Sequence, residues 1–172
     1  MLNTPWAHGE YLIVPYRPFS GTPSKNDRII AEASEHPERF LISPRSGHIP
    51  TLVARLLTSA DNAVWEVWKC EALCGIIILD HIVPNIEARW HIVFLDDELA
   101  SKASLLNIFA QRCFSDFGLH RLIIEAPESM PKLLSFARRK LGFDYEGGTR
   151  AGSRRERAHF DDERWYDVVL LQ

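Results

Sequence analysis

The residues best suited to chemistry lie in, and just after, one short apolar segment, "EARWHIVFL", Glu87 to Leu95. His91 stands in its middle. An imidazole titrates near neutral pH, so it can take a proton from a nucleophile, although a lone histidine in a strand also serves as a packed residue. Glu87 lies four residues earlier, so on a strand the two side chains share a face. The segment then enters "FLDDELASKASL", Phe94 to Leu105, where apolar sequence gives way to helical sequence. Such junctions often bind phosphate, because the first N–H groups of a helix are unpaired and carry partial positive charge. Here the junction carries Asp96, Asp97 and Glu98 and no glycine. Two readings stay open. It is a binding loop in which the Ser101 hydroxyl and the Lys102 cation partly offset three acids. Or it is an acidic helix start in which Asp96 or Asp97 is a plain cap.

Other groups carry weaker signals. Trp65, Trp68 and Trp90 either line an acceptor pocket or fill the core. "RAGSRRER", Arg150 to Arg157, is the one basic cluster; it suits an acidic partner or a nucleic-acid backbone. It also reads as a solvated hairpin loop, diluted by Glu156, Asp161, Asp162 and Glu163. Cys70, Cys74 and Cys113 are odd in number and scattered, against a disulfide framework, and no second pair completes a zinc site. They read as small core or surface residues.

The elements that must position these groups follow from pattern. The chain has 172 residues, 46% hydrophobic and 25% charged, which suits one globular domain over 1–172. A net charge of −3 disfavours general nucleic-acid binding. No apolar run is long enough to span a bilayer, and the N-terminus lacks signal-peptide character, so the expected address is intracellular, in the cytoplasm. "GEYLIVPYRP" reads as a first strand. "NDRIIAEASEHPERF" reads as a helix capped by Asn26 or Asp27, and a second helix begins near Thr51 with Leu52, Leu56 and Leu57 on one face. "AVWEVWKC" alternates, placing Val64, Glu66 and Trp68 opposite Trp65 and Val67. "CGIIILDHIV" is unbroken and apolar, as in a strand covered on both faces, and pairs with it as a central hairpin. "EARWHIVFL" is the next strand, with Trp90, Ile92 and Phe94 on one side. "SKASLLNIFAQRCFSDFGL" is an amphipathic helix ended by Gly118. "HRLIIEAP" is a strand and "SMPKLLSFARRKLG" a helix, with Pro131 in its first turn and Gly142 at its end. "FDYEGGTR" and "RWYDVVLLQ" read as a closing hairpin joined by the basic loop. The order predicts an α/β (α+β) domain: a mixed, mostly antiparallel sheet of about six to seven strands with helices on both faces.

With these elements in place, "FSDFGLHRLIIEAPESMPKLLSFARRKLGFDYEGGTR", Phe114 to Arg150, resembles the GNAT superfamily of acyl-CoA-dependent N-acetyltransferases. The likeness is nearest to the branch acting on ribosomal-protein N-termini and small amines. It rests on Phe114, Gly118 to Arg121, Leu141 to Phe143, Glu146, Gly147 and Arg150, with Asp162 and Tyr166 in the final hairpin. "GEYLIVPYR" and "CGIIILD" resemble the family's opening and glycine-bearing strands.

The resemblance implies acetyl-CoA as co-substrate, an amine from a small molecule or protein as acceptor, and direct acetyl transfer. It implies that the strands holding Glu87 to Leu95 and His120 to Ala126 splay apart to admit pantetheine. It makes Glu87 the base by position, with His91 as the alternative. Cofactor contacts fall on Phe94, Leu95, Glu98, Ala100, Ser101 and Lys102. The family's pyrophosphate loop carries Gln or Arg, then Gly, then Gly or Ala, where this chain has Leu95, Glu98 and Ala100; the first two positions depart, and Glu98 adds a side chain and a negative charge. The tyrosine that serves many relatives as leaving-group acid falls on Arg138, with Ser135 nearby. Their Asn or Ser at the start of the same helix falls near Pro131, where Ser129 can substitute. These departures favour a second reading: a catalytically inactive fold serving as a binding or structural module in a larger assembly.

Overall fold

The computed structural model describes residues 4–17, 24–40, 48–95, 102–127, 130–146, 154–161 and 164–171. The described elements are β1 (Trp6–His8), β2 (Tyr11–Pro15), α1 (Ser24–Glu35), a 3₁₀ turn (Pro37–Phe40), α2 (Ile49–Thr58), β3 (Ala63–Lys69), β4 (Ala72–Val83) and β5 (Glu87–Phe94). They continue with α3 (Ala103–Phe117), β6 (Arg121–Pro127), α4 (Pro131–Leu141), β7 (Arg154–Asp161) and β8 (Arg164–Leu171). The strands form one eight-stranded sheet in the order β1-β2-β3-β4-β5-β6-β8-β7. Every neighbouring pair is antiparallel except β5 and β6. The expected mixed, mostly antiparallel sheet is thus present. It is wider than six to seven strands partly because the opening segment is a hairpin, with Trp6 to His8 paired on Ile13 to Tyr11.

Alternation along the strands sorts side chains between two helical layers. On one face Trp65, Ile77, Leu79, Trp90 and Phe94 pack with Leu105, Phe109 and Cys113 of α3 and with Leu134, Phe136 and Ala137 of α4. On the other, Val64, Ile76, Ile78 and Val93 pack with Ile29 and Ala33 of α1 and Val53 and Leu57 of α2. Ile76 to Leu79 are therefore buried from both sides, as their unbroken apolar run predicts. Each such side chain contributes roughly 1.5–3 kcal/mol. Trp65 and Trp90 are core residues, 2% and 1% exposed, packed on Phe109 at 5.0 and 5.7 Å between ring centroids. Trp68 donates its indole N–H to Glu66 Oε2 at 2.8 Å.

One polar contact fixes the α1 layer. Glu66, placed among apolar neighbours by alternation, accepts a 2.7 Å salt bridge from Lys25 of α1, and both side chains are buried. Lys25 Nζ also lies 5.1 Å over the Tyr16 ring. Burial, with the Glu66 charge adding to it, pushes the Tyr16 hydroxyl above its ordinary pKa.

Several local expectations are corrected. α1 begins at Ser24, so Asn26 and Asp27 lie in its first turn and do not cap it; Asn26 accepts a bond from the Tyr16 hydroxyl instead. Leu52 is exposed, and α2 turns Val53 and Leu57 to the core. The basic run Arg154 to Arg157 is strand, not loop, while Phe143 to Glu146 forms no strand. The physical reason is position: β7 is an edge strand, where charge is tolerated and resists edge-to-edge pairing. Cys70 is exposed at a two-residue turn with Glu71, both at positive φ, whereas Cys74 and Cys113 are buried. Burial, reinforced by the Asp116 charge, pushes the Cys113 thiol up to about 12, so it is inert at neutral pH.

Candidate active site

The site is built where β5 and β6 part. They pair only through Glu87 with Arg121, Ala88 with Leu122 and Arg89 with Ile123. Beyond that, β5 stays on β4 as far as Phe94 with Gly75, while β6 pairs with β8 from Ile124 to Pro127. Among the described residues, the β5 backbone from Trp90 onward has no ladder partner on its β6 side. Backbone polar groups on such an edge need partners, and an extended chain bearing amides can supply them by strand addition. Beneath the fork lies an aromatic cluster of Trp90, Phe109 and Phe143. The Trp90 indole N–H, in the first residue past the fork, is buried without a hydrogen-bond partner.

The strand containing Gly75 is shaped by close approach. A Cβ at Gly75 would lie 2.5 Å from Phe94 Cδ1 and 2.8 Å from the Val93 carbonyl oxygen. Only glycine lets the Phe94 ring lie on the β4 backbone there. On its other side Phe94 carries Lys102, whose Nζ is 4.7 Å from the ring centroid.

Lys102 is the cap residue of α3, and its own side chain makes no capping hydrogen bond. The first turn holds no acid. Asp96 and Asp97, read from sequence as possible caps, lie outside the described residues; among those described, α3 begins at Ala103. Lys102 is 0% exposed, so its ammonium belongs to the interior rather than the surface. Leu95 packs against the α1 and α2 core. Glu98, Ala100, Ser101 and Ser129 lie outside the described residues, as do Asp162 and Gly147.

The two expected bases are separated. Glu87 sits at the paired end, its Oε2 held by Arg121 Nη2 at 2.7 Å. His91 shares its face but stands about 13 Å along the strand, past the fork. Its Nε2 lies 3.1 Å from Asp80 Oδ2 of β4, and both side chains are mostly buried. Asp80 precedes a bulge at which the β4–β5 register shifts, and His81 adopts φ +46°. Bulges re-aim side chains next to sites; this one brings His81 Nδ1 to 3.2 Å from Asp80 Oδ1, though not aligned for a hydrogen bond. Burial pushes the Asp80 carboxyl up, but the hydrogen bond and charge of His91, with help from His81, outweigh it and hold Asp80 below the ordinary carboxylate range.

Alongside the fork, on the same sheet face as His91, is a cavity of about 240 Å³. Arg89 Nη1 reaches Glu125 Oε1 across the parting strands at 3.2 Å, and Arg121 Nη2 also lies 3.5 Å from Glu146 Oε1. Asp80, Arg89 and Glu125 were not singled out from sequence. A signal existed for the first: Asp80 and His81 interrupt an otherwise apolar strand. Arg138, where the resemblance led one to expect a tyrosine, lies 4.2 Å over the Tyr145 ring and donates to its hydroxyl at 3.3 Å. Ser135 is exposed on α4.

Neither a protein-family model nor the sequence of a curated protein matches the chain. Solved structures do. The spermidine N-acetyltransferase from Vibrio cholerae, in complex with CoA and spermine, superposes with a TM-score of 0.74 at 15% identity, over 94% of each chain. A solved "probable acetyltransferase" gives 0.69 at 15% identity, over 95% of this chain and 92% of its own. This is the GNAT fold. In GNAT terms the parted strands are the two that the resemblance expected to splay. At this level of identity the likeness carries the architecture; the chemistry must come from the residues. No helix among the described residues is long and apolar enough to cross a membrane.

Proposed function

We propose that the chain is an acetyl-CoA-dependent N-acetyltransferase that acts on an amine by direct transfer. The observation carrying this is the fork: β6 abandons β5 after Arg89 and leaves an open strand edge facing a gap. The residues present fit a pantetheine arm in two respects. The β5 edge from Trp90 to Phe94 offers amide groups for strand-like pairing. The start of α3, whose first turn holds no acid, suits the phosphates. When bound, the thioester supplies an acyl group whose C–S bond is exchanged for a C–N bond to the acceptor.

The protein's part is to position the amine and remove its proton. We assign proton removal to His91 rather than Glu87. His91 is past the fork and oriented by Asp80, in the base-plus-orienter arrangement that activates nucleophiles. Glu87 is occupied by Arg121 at the closed end. Asp80 is a positioning residue: its carboxylate fixes the ring and stabilises the imidazolium that forms. The inactive-module reading gains nothing from the gap or from the histidine–carboxylate pair. Cytoplasmic residence and a protein partner remain part of the proposal.

Calorimetric titration with acetyl-CoA tests it. Micromolar binding is the expected result; no heat at millimolar ligand ends the transferase reading.

A further inference from the structure

We infer that the cavity beside the fork takes an acceptor bearing a carboxylate as well as an amine, an amino-acid-like zwitterion and not a polycation. The acceptor's fate rests on the transferase reading; its binding does not. The cavity, of about 240 Å³, admits a small molecule, and its polar wall is Glu87 and Arg89 of β5, Arg121 and Glu125 of β6, His81 and Glu146.

Two guanidiniums face this space, each with donors to spare. Arg121 spends Nη2 on Glu87 at 2.7 Å and on Glu146 at 3.5 Å, while its Nε–H is shut off from water without any acceptor. Arg89 spends Nη1 on Glu125. A guanidinium presents five N–H donors in a planar fork that matches a carboxylate through two parallel bonds, and a buried donor left unpaired is costly. An incoming carboxylate reaches the Arg121 Nε–H as the partly exposed guanidinium turns away from Glu146, the looser of its two partners. A polyamine brings no acceptor for it; the three carboxylates of the wall draw the ammonium of either ligand, so the two guanidiniums make the distinction.

The amine end has its own partners. Glu146 makes the looser contact with Arg121 and is the carboxylate freest to turn to an ammonium. Glu125 lies beyond the last paired residues, so an ammonium drawn to it is drawn toward the fork and His91. Alternating sign along the wall thus matches a ligand that carries both charges, with its carboxylate toward Arg121.

The test uses matched pairs differing only in the carboxylate: L-lysine with cadaverine, and L-phenylalanine with phenethylamine, plus spermidine. Each is titrated into the full chain without CoA, with ligand-observed NMR as readout. In at least one pair the amino acid should bind about tenfold or more tighter than its decarboxylated partner, as expected for a charge-assisted bidentate contact. Arg121→Gln should remove that preference; if its circular dichroism shows misfolding, Arg89→Gln should reduce it several-fold. The inference is overturned if the decarboxylated members or spermidine bind as tightly, or if no amino acid binds. Acetyl-CoA titration runs separately. CoA binding with no carboxylate preference leaves the transferase reading standing without this pocket. Carboxylate preference without CoA binding does the reverse.

Discussion

Arg89 and Ile123 are the last pair that β5 and β6 share. One residue further, Trp90 faces β4 on one side and an opening on the other, while Ile124 has already joined Leu171 of β8. The parting is a register event: β6 changes partner while β5 keeps its own. It leaves backbone groups on β5 unladdered beside a buried aromatic floor.

Those unladdered groups should be protected by ligand. Hydrogen exchange followed by mass spectrometry should show amides within Trp90–Phe94 exchanging faster than those within Ile76–Leu79, which are paired on both sides of their strand. Saturating CoA should slow the first set and leave the second unchanged. Equal protection of Trp90–Phe94 with and without CoA would remove the placement of the pantetheine arm.

Proton transfer at His91 predicts a graded pair of variants. His91→Ala should lower kcat by about 10²- to 10⁴-fold with a smaller effect on the CoA dissociation constant. Asp80→Asn should cost less, and should change the pH–rate profile because the ring loses its charged partner. Glu87→Gln should leave kcat within a few-fold of wild type. If Glu87→Gln is instead the crippled variant, the assignment of the base is reversed.

The depressed Asp80 carboxyl also predicts a stability profile. The folded state keeps Asp80 ionised to lower pH than the unfolded chain does. Its contribution is therefore full above the ordinary aspartate value of about 3.9 and is lost as pH falls through the lower folded-state value. In urea unfolding, the gap between wild type and Asp80→Asn should be widest at neutral pH and close progressively below about pH 4. A gap that widens on acidification would contradict the sign.

Lys25 and Glu66 form a buried pair, so breaking it should cost far more than replacing it. Glu66→Gln or Lys25→Met alone should lower unfolding free energy by about 3–5 kcal/mol, because one charge is left uncompensated. The double variant Lys25→Met/Glu66→Leu should recover much of that loss, although Trp68 loses its acceptor. Single variants within about 1 kcal/mol of wild type, an exposed-pair value, would show that water reaches the site.

Much of the architecture was legible from local pattern alone. The period-two strand "AVWEVWKC", the apolar run "GIIILD" and the helices closed by Gly118 and Gly142 state their own conformation, because propensity, burial period and left-handed caps act over a few residues. Their order, with the motif from Phe114 to Arg150, was enough to name the fold. Edge charge misled the reading of Arg154 to Arg157, since nothing local says that a basic run will be an outer strand. The start of α1 slipped too, since the helix begins at Ser24 and takes Asn26 and Asp27 into its first turn.

The site belongs to the tertiary structure. Sequence put His91 and Glu87 on one face, and it could not say which would be free. That depended on Arg121, thirty-four residues after Glu87, arriving across a parallel pairing to occupy its carboxylate. It depended equally on a bulge in β4 that sets Asp80 against His91. Such contacts follow from strand register and partner exchange, which are decided by packing the whole sheet between two helical layers. Residue type and spacing supply the candidates, and only that long-range pairing chooses among them.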